Sequence, residues 1–556
     1  MRFFAPFLLA SMISLNGEPS IRGFASTVHP LATRAALDAL DHGGNAIDAA
    51  VAAALTLGVV DGHNSGIGGG CFFLVHLADG RTFCIDGRET APAKAARDMY
   101  LRDGKLEETL SKTGSLASAT PGALAVYSDV VSRFGKLPLA AALRHGILHA
   151  ENGFPIDEVF ARKLKKTRDD LARFPSSKSI FLRENGDPIP KGGILVQKDL
   201  AASYRAIAEH GAAWFYQGPF AGKVDSWMRE NGGILSSDDL KAYQPVSREP
   251  LTSRFREWTI VGVPPPSSGG VHIAQMLKIL ETFDPAKIPL GSADFAHVVT
   301  ETMKLAFADR AYWLGDPAFT KVPMGLVSHE YTDSLAHRID LTKATPVDGH
   351  GTPPDWQSNH FEKHTTHFSA ADELGNWVSC TATINTAFGS KVVIPGTGIL
   401  LNDEMDDFSI APGVPNAFRL VGGEANQIAP GKRPLSSMSP TLVLKDGKVT
   451  MSIGAAGGPT IISQVLLGLL HVLDHHLSPA DALSQPRIHH QWSPDLLRIE
   501  RDTPAPVLEK LKSMSHHLEL LERFGACQII ALDANGTLQG ASDPRVPGLA
   551  AGTSHL

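Results

Sequence analysis

Residues 365–388 read TTHFSAADELGNWVSCTATINTAF. Small, β-branched and aromatic residues alternate with polar ones on both sides of a Gly375-Asn376 turn pair. That pattern predicts two strands joined as a hairpin. The signature returns downstream in LVLKDGKVTMSIGAAGG (442–458) and QIIALDANGTLQGASD (528–543). It also appears upstream, where Cys71–Leu77 and Thr82–Asp86 flank an Asp-Gly turn. Between the hairpins lie helical patterns. Residues 30–42 form an amphipathic helix that stops at Gly43-Gly44. The Ala-rich run after it is apolar on most sides and predicts a buried helix. Residues 95–260 read as mostly helical, PPPSSGG (264–270) opens another helix, and one more is expected near 460–473. Residues 288–362 are expected to be irregular, ending in an exposed polar linker, VDGHGTPPDWQSNHFEKH (347–364). The chain is thus helix-rich before residue 364 and strand-rich after it. Consecutive hairpins with flanking helices predict an α/β (α+β) fold of stacked antiparallel sheets covered by helices.

Composition narrows the function. Apolar residues make up 43% of 556, enough for a large core and too many for a disordered chain. The net charge of −7 lacks the basic footprint of a nucleic-acid binder. The four cysteines, Cys71, Cys84, Cys380 and Cys527, form no CxxC pair and are too few for a disulfide scaffold. The apolar run Phe3–Leu15 is too short to span a bilayer but fits a secretory signal, so residues 1–20 are a candidate signal peptide. Export to the periplasm or medium is the favoured location, with the cytoplasm as the alternative.

Thr365 opens the strand run directly after the polar linker. A threonine hydroxyl is a weak nucleophile unless a base stands beside it, and the residue's own α-amine is one such base. With a reference pKa of about 7.7–8.0, that amine is substantially neutral near physiological pH. An internal threonine gains it only if the His364–Thr365 bond is cut. On propensity alone, Thr365-Thr366 is ordinary strand material.

The segments TTHFSAADELGNWVSCTATINTAFGS, GILLNDEMDDFS and KRPLSSMSPT resemble those of the gamma-glutamyltranspeptidases (glutathione hydrolases), which are N-terminal nucleophile hydrolases. GGNAIDAAVAAALTLGVV, SGIGGG, DGRETAPAKA, ATPGALA, PPPSSGG, PRIHHQW and GASDPR match family segments in the same order. The resemblance implies a four-layer αββα sandwich and a precursor that cleaves itself at His364/Thr365. The products would be a large chain, 21–364, and a small catalytic chain, 365–556, paired as a heterodimer in one compact fold.

The resemblance also implies site roles. Thr365 is the nucleophile and Thr383 orients it by a hydrogen bond. Gly457 and Gly458 form the oxyanion hole. Arg88 holds the substrate α-carboxylate with help from Ser436 and Ser437. Glu404 and Asp407 hold the α-ammonium, with Asn385 assisting. By default these residues would be strand threonines, turn glycines and serines, a surface arginine and a solvated acidic loop. Phe418, in the loop SIAPGVPNAFRLVGGEANQIAPGKRP (409–434), stands where many bacterial members have a lid tyrosine. It keeps the apolar cover but lacks the hydroxyl that could bond Asn385.

Asp403, Glu404, Asp406 and Asp407 could alternatively offer oxygen ligands to a divalent cation. Their spacing is not an EF-hand, and no HExxH motif occurs. No metal and no cofactor are expected, and the pairs His475-His476, His489-His490 and His516-His517 read as ordinary polar positions. The expected activity is transfer of a γ-glutamyl group from glutathione or a related compound to water, an amino acid or a peptide. The alternatives are a cephalosporin (glutaryl) acylase and an inactive glutamyl-binding homologue.

Overall fold

A computed structural model describes residues 22–354, 366–410 and 415–553. His364, Thr365 and the candidate signal segment lie outside the described residues.

The first main sheet contains β1 (Gly23–Thr27), β2 (Gly70–His76), β3 (Thr82–Gly87) and β4 (Val246–Arg248). The second begins with β5 (Leu251–Phe255) and β6 (Trp258–Gly262). The hairpin β7 (Thr366–Asp372) and β8 (Trp377–Thr383) returns to the first sheet. β9 (Thr441–Lys445), β10 (Lys448–Ala456), β11 (Ala526–Leu532) and β12 (Leu538–Ser542) complete the second, and β13 (Leu549–Gly552) closes the first. The orders are β13-β1-β7-β8-β2-β3-β4 and β12-β11-β10-β9-β6-β5. Every neighbouring pair in both sheets is antiparallel. Both sheets therefore mix strands from before and after residue 364.

Three apolar interfaces stack four layers. Helices α1 (Pro30–Asp41) and α2 (Ala46–Val60) cover the outer face of the first sheet. Phe24, Phe72, Leu74, Val261, Leu442 and Ile530 fill part of the space between the sheets. On the far side, α4 (Ser268–Glu281), α5 (Ala293–Trp313) and α6 (Thr460–Leu473) cover the second sheet. The helix between these groups that matters below is α3 (Glu158–Ala172). With cover on both faces, β7 and β8 are buried along their whole length. Alternation there separates a helix-facing side from a sheet-facing side rather than core from water.

Local chemistry explains the elements nearest the site. Asn45 caps α2 in a reciprocal box with Asp48. Asp372 accepts from the backbone N–H groups of Leu374 and Asn376 at 3.0 Å each, which shapes the β7–β8 turn, and also from Ala46 N at the start of α2. One expectation fails. The described part of residues 288–362, which ends at 354, is not irregular: it contains α5 and a further helix, His329–Ala336. In α5, 18 of 21 residues are buried, among them Glu301, Lys304, Asp309 and Arg310. Charged residues spread around every face erase the polar stripe by which an amphipathic helix is recognised. They are tolerated because they are paired internally: Lys304 donates to Glu301 at 2.9 Å, and Asp309 accepts from Gln275 and Tyr331. No helix among the described residues is long and apolar enough to cross a membrane.

Candidate functional site

The site residues converge at one end of the β7–β8 pair. Thr366 pairs with Ala382, and Thr383 pairs with Gly70 of β2. A Cβ on neighbouring Gly69 would lie 1.8 Å from the Thr383 carbonyl oxygen, so the SGIGGG turn needs glycine there for backbones to meet. The Thr383 hydroxyl oxygen accepts from Asn385 N–H at 2.7 Å, which leaves the hydroxyl proton to donate elsewhere. Asn385 is in the left-handed region at φ 72°, where asparagine is tolerated. Its Nδ2 donates to the Asp403 carbonyl at 2.9 Å, while its Oδ1 is buried with no partner among the described residues. Asp403 in turn accepts from the Thr386 N–H at 2.9 Å and hydroxyl at 2.5 Å, tying the 385–386 turn to the acidic loop.

That loop folds into a 3₁₀ turn, Glu404–Asp407, and delivers two carboxylates onto Arg88, just past β3. Arg88 is fully buried. Its Nη1 donates to Glu404, and its Nη2 donates to Asp407 Oδ2 at 2.6 Å. Glu89 lies 3.6 Å from the same guanidinium, also fully buried, with neither oxygen hydrogen-bonded among the described residues. The Arg88 backbone is clamped: its N–H donates to Asp86 at 2.7 Å, and its carbonyl accepts from Tyr243 and Arg433. Three buried carboxyls around one guanidinium leave excess negative charge. Burial pushes Glu404 well above the usual carboxylate range, opposed by Arg88. For the same two reasons Glu89 sits at about 7. Arg88, Glu404 and Asp407, expected at opposite ends of a ligand, are thus in direct contact with one another.

The hydroxyl and glycine elements border this cluster. Ser436 is held by the start of α4, where Ser268 N–H and hydroxyl both donate to its carbonyl. The Ser437 hydroxyl is buried and has no partner among the described residues. Gly457 and Gly458 lie between β10 and α6 with φ of 129° and 63°. A side chain would be strained at either position, whereas glycine lets successive amides turn toward one oxygen. Phe418 covers this turn: a Cβ at Gly458 would come within 2.7 Å of its ring. The Phe418 segment is anchored from below. Asn416 Nδ2 donates to Asp407 Oδ1 at 3.2 Å, and Ala417 N–H donates to Asp406 at 2.8 Å.

Sequence reasoning missed Glu89 and Asn416. Glu89 sits beside Arg88 in DGRETAPA, but nothing local marks it as buried. It also misjudged three histidines: His489, His490 and His516 are buried rather than ordinary polar positions. His489 pairs with Ser463 at 3.0 Å and His490 with Asp495 at 3.1 Å. His516 joins His297 and Glu301 in a cluster whose ligand atoms lie within 4.8 Å of one another. Hydrogen bonds already engage all three side chains. The His297 Nε2 meets the Asp340 carbonyl at 2.7 Å, so Nε2 carries the proton, and Nδ1 accepts from His516 at 2.7 Å. Glu301 accepts from Lys304 and from Thr345 N–H, each at 2.9 Å. A cleft of about 660 Å³ lies at the opposite end of β7 between hairpin turns, lined by His76, Asp372, Leu374, Trp377 and Lys448. Seven strand residues separate it from the site by roughly 20 Å.

Comparison with known proteins gives four results. The sequence profile described as Gamma-glutamyltranspeptidase matches residues 32–553. The Glutathione hydrolase proenzyme of Escherichia coli (strain K12) is 44% identical over 529 residues, covering 94% of this chain and 90% of that protein. The Acylase ACY 1 proenzyme of Pseudomonas sp. (strain SE83) is 38% identical over 540 residues, covering 95% and 93%. Among solved structures, a cephalosporin acylase from Bacillus halodurans superposes with a TM-score of 0.85 at 27% identity, covering 97% of this chain and 99% of the other.

Proposed function

The chain belongs to the gamma-glutamyltranspeptidase family, and from that premise we propose that it is a self-processing γ-glutamyltransferase and glutathione hydrolase. The Thr365 hydroxyl attacks the His364 carbonyl, the acyl group moves from nitrogen to oxygen, and water hydrolyses the ester. This yields a large chain, 21–364, and a small chain, 365–556, as a heterodimer. The freed α-amine of Thr365 then serves as the base for its own hydroxyl. That hydroxyl attacks the γ-amide carbonyl of the donor, the amine leaves with a proton, and a γ-glutamyl ester forms on Thr365. Water or an amino-acid or peptide amine then takes the glutamyl group. Support for the Thr365–Thr383 pairing is that Thr366, the residue after the one, is in register with Ala382, the residue before the other. Gly457 and Gly458 stabilise the oxyanion. We also place the enzyme in the periplasm or medium, on the apolar run Phe3–Leu15.

The observation that carries the substrate assignment is the buried cluster of Arg88 with Glu404 and Asp407. A γ-glutamyl group ends in a zwitterion. Its carboxylate takes over the guanidinium, beside Ser436 and Ser437, while its ammonium takes over the two carboxylates beside Asn385. Each charge released finds an opposite charge, so no ion is left bare. A glutaryl chain has the carboxylate without the ammonium. It would draw Arg88 away and leave Glu404 and Asp407 buried without a cation, a situation costing about 3–5 kcal/mol. At about 1.4 kcal/mol per tenfold, γ-glutamyl substrates should lead glutaryl ones by roughly a hundredfold or more.

Comparing γ-glutamyl and glutaryl p-nitroanilides on the matured enzyme tests this; equal or reversed preference makes the protein an acylase. Thr365→Ala should leave a single uncleaved chain with no turnover. Cleavage of that variant, seen on a denaturing gel, would remove Thr365 from the mechanism.

A further inference from the structure

Beneath the catalytic strand ends lies a turn that the reaction as described does not use. Residues 61–64, Asp-Gly-His-Asn, follow α2 directly. They hold both strands of the hairpin near its open end. The Thr366 hydroxyl donates to Asp61 Oδ2 at 3.1 Å. On the partner strand, the Ile384 N–H, next to Thr383, donates to the Asn64 carbonyl at 3.1 Å. The Phe388 N–H donates to the His63 carbonyl at 2.9 Å. One short turn therefore grips the residue after Thr365 and the residue after Thr383.

The grip is itself braced. Asn64 Nδ2 donates to both Asp61 oxygens, at 2.9 and 3.1 Å, and its Oδ1 accepts from the ammonium of Lys163 on α3. The His63 ring stacks edge-on against Phe160, also on α3, at 4.5 Å. Asp61, His63 and Thr366 are buried. Burial raises Asp61 to about 7, and Lys163 is the strongest influence pulling it back. A buried carboxyl, a partly buried ammonium from α3 and two backbone carbonyls bonded to the hairpin exceed what ending a helix requires. Asp61 already has the C-cap N–H bonded to Leu57, and a glycine or asparagine would end α2 equally well.

We propose that Asp61, acting through the Thr366 hydroxyl, is a positioning residue that holds Thr365 in attack geometry against the fixed Thr383. The inference rests on Thr365 being the nucleophile. A displacement of about 1 Å at a reacting group costs up to about a hundredfold in rate, so a single hydroxyl-to-carboxylate bond one residue away has leverage on turnover. Ground-state substrate binding is made by Arg88, Glu404 and Asp407 and does not depend on this bond.

The test uses the full-length protein with active sites counted by burst titration. Thr366→Val is close to isosteric and removes only the donor. It should lower kcat per active site by about tenfold or more and slow self-cleavage to a similar degree, with KM within about twofold. Thr366→Ser restores the hydroxyl and should recover most of the loss. Asp61→Asn should lower kcat in the wild-type background but add little in the Thr366→Val background, because the two act through one bond. Unchanged kcat per titrated site in Thr366→Val would overturn the proposal, even if Tm or the active fraction falls. So would Asp61→Asn losing equally in both backgrounds. Should Thr366→Val or Asp61→Asn fail to mature, Thr366→Ser decides alone: a kcat as low as that of an unpositioned nucleophile overturns the proposal, and near-wild-type kcat supports it. Thr365→Ala separates the two levels. If that variant still cleaves, the nucleophile assignment is wrong. If it is silent while Thr366→Val is fully active, only the positioning role is lost.

Discussion

Arg88→Lys keeps the charge and removes the fork. In the folded protein the guanidinium serves Glu404 from Nη1 and Asp407 from Nη2, the latter at 2.6 Å, while Nε faces the Pro434 carbonyl at 3.3 Å. A lysine nitrogen falls near the guanidinium carbon, about 1.3 Å short of either terminal nitrogen, so it can keep at most one of two divergent contacts. The same geometry governs a bound carboxylate, which loses one of two charged hydrogen bonds. Each such bond is worth about 1.5–3 kcal/mol, or roughly ten- to a hundredfold in kcat/KM. The carboxylate is held alike in the bound and transition states, so the loss should appear as KM with kcat within about threefold. Lysine is the informative choice, because a neutral residue would strand three buried carboxyls and threaten the fold itself. Steady-state kinetics with γ-glutamyl-p-nitroanilide, on protein whose Tm and titrated sites match wild type, make the measurement. Combining Arg88→Lys with Asp407→Asn extends it. The two side chains touch, so the double variant should depart from additivity by about 0.5–3 kcal/mol. A wild-type KM in Arg88→Lys would remove Arg88 from the substrate site. Strict additivity would mean that the ion pair does not bear on binding.

Two further predictions concern other parts of the site. Gly458→Ala forces a Cβ to within 2.7 Å of the Phe418 ring at φ 63°; kcat should drop by at least about tenfold with little change in KM, measured on the same anilide. His367 is buried between hydroxyls of Thr381 and Ser369, and burial lowers it from 6.5 to about 3. It stays neutral when folded but takes a proton when unfolded below about pH 6.5. Its contribution is therefore destabilising as pH falls, by up to about 1.4 kcal/mol per pH unit between 6.5 and 3. In denaturant titrations across that range, His367→Gln should lose stability less steeply than wild type by about that slope. Identical slopes would mean that His367 is protonated in the native state.

Much of this protein is decided within short windows of sequence. The β7–β8 turn needs Gly375 and Asn376 and is completed by Asp372 from four residues away. The α2 cap needs Asn45 and Asp48, three residues apart. Alternation, caps and turn glycines act over one or two turns of chain, so their consequences are visible without a fold, and the hairpins and the buried Ala-rich helix follow from them. The fold class follows as well, because strands and helices in that order have few ways to bury their apolar faces. The identities of the site residues came from ordered motifs, not from any local rule.

Tertiary structure alone decides the charges. Arg88 meets Glu404 and Asp407 across more than 300 residues, and Asp61 meets Thr366 across 305. No spacing in the chain relates these positions, and read singly they are surface ions. The same is true of Asp309 in α5, a buried carboxyl whose partners Gln275 and Tyr331 come from other helices. Hydrogen-bonding and apolar periodicity are properties of neighbours along the chain. Burial of charge is stable only when an opposite charge or a donor arrives from elsewhere, and the packing of four layers determines which one arrives.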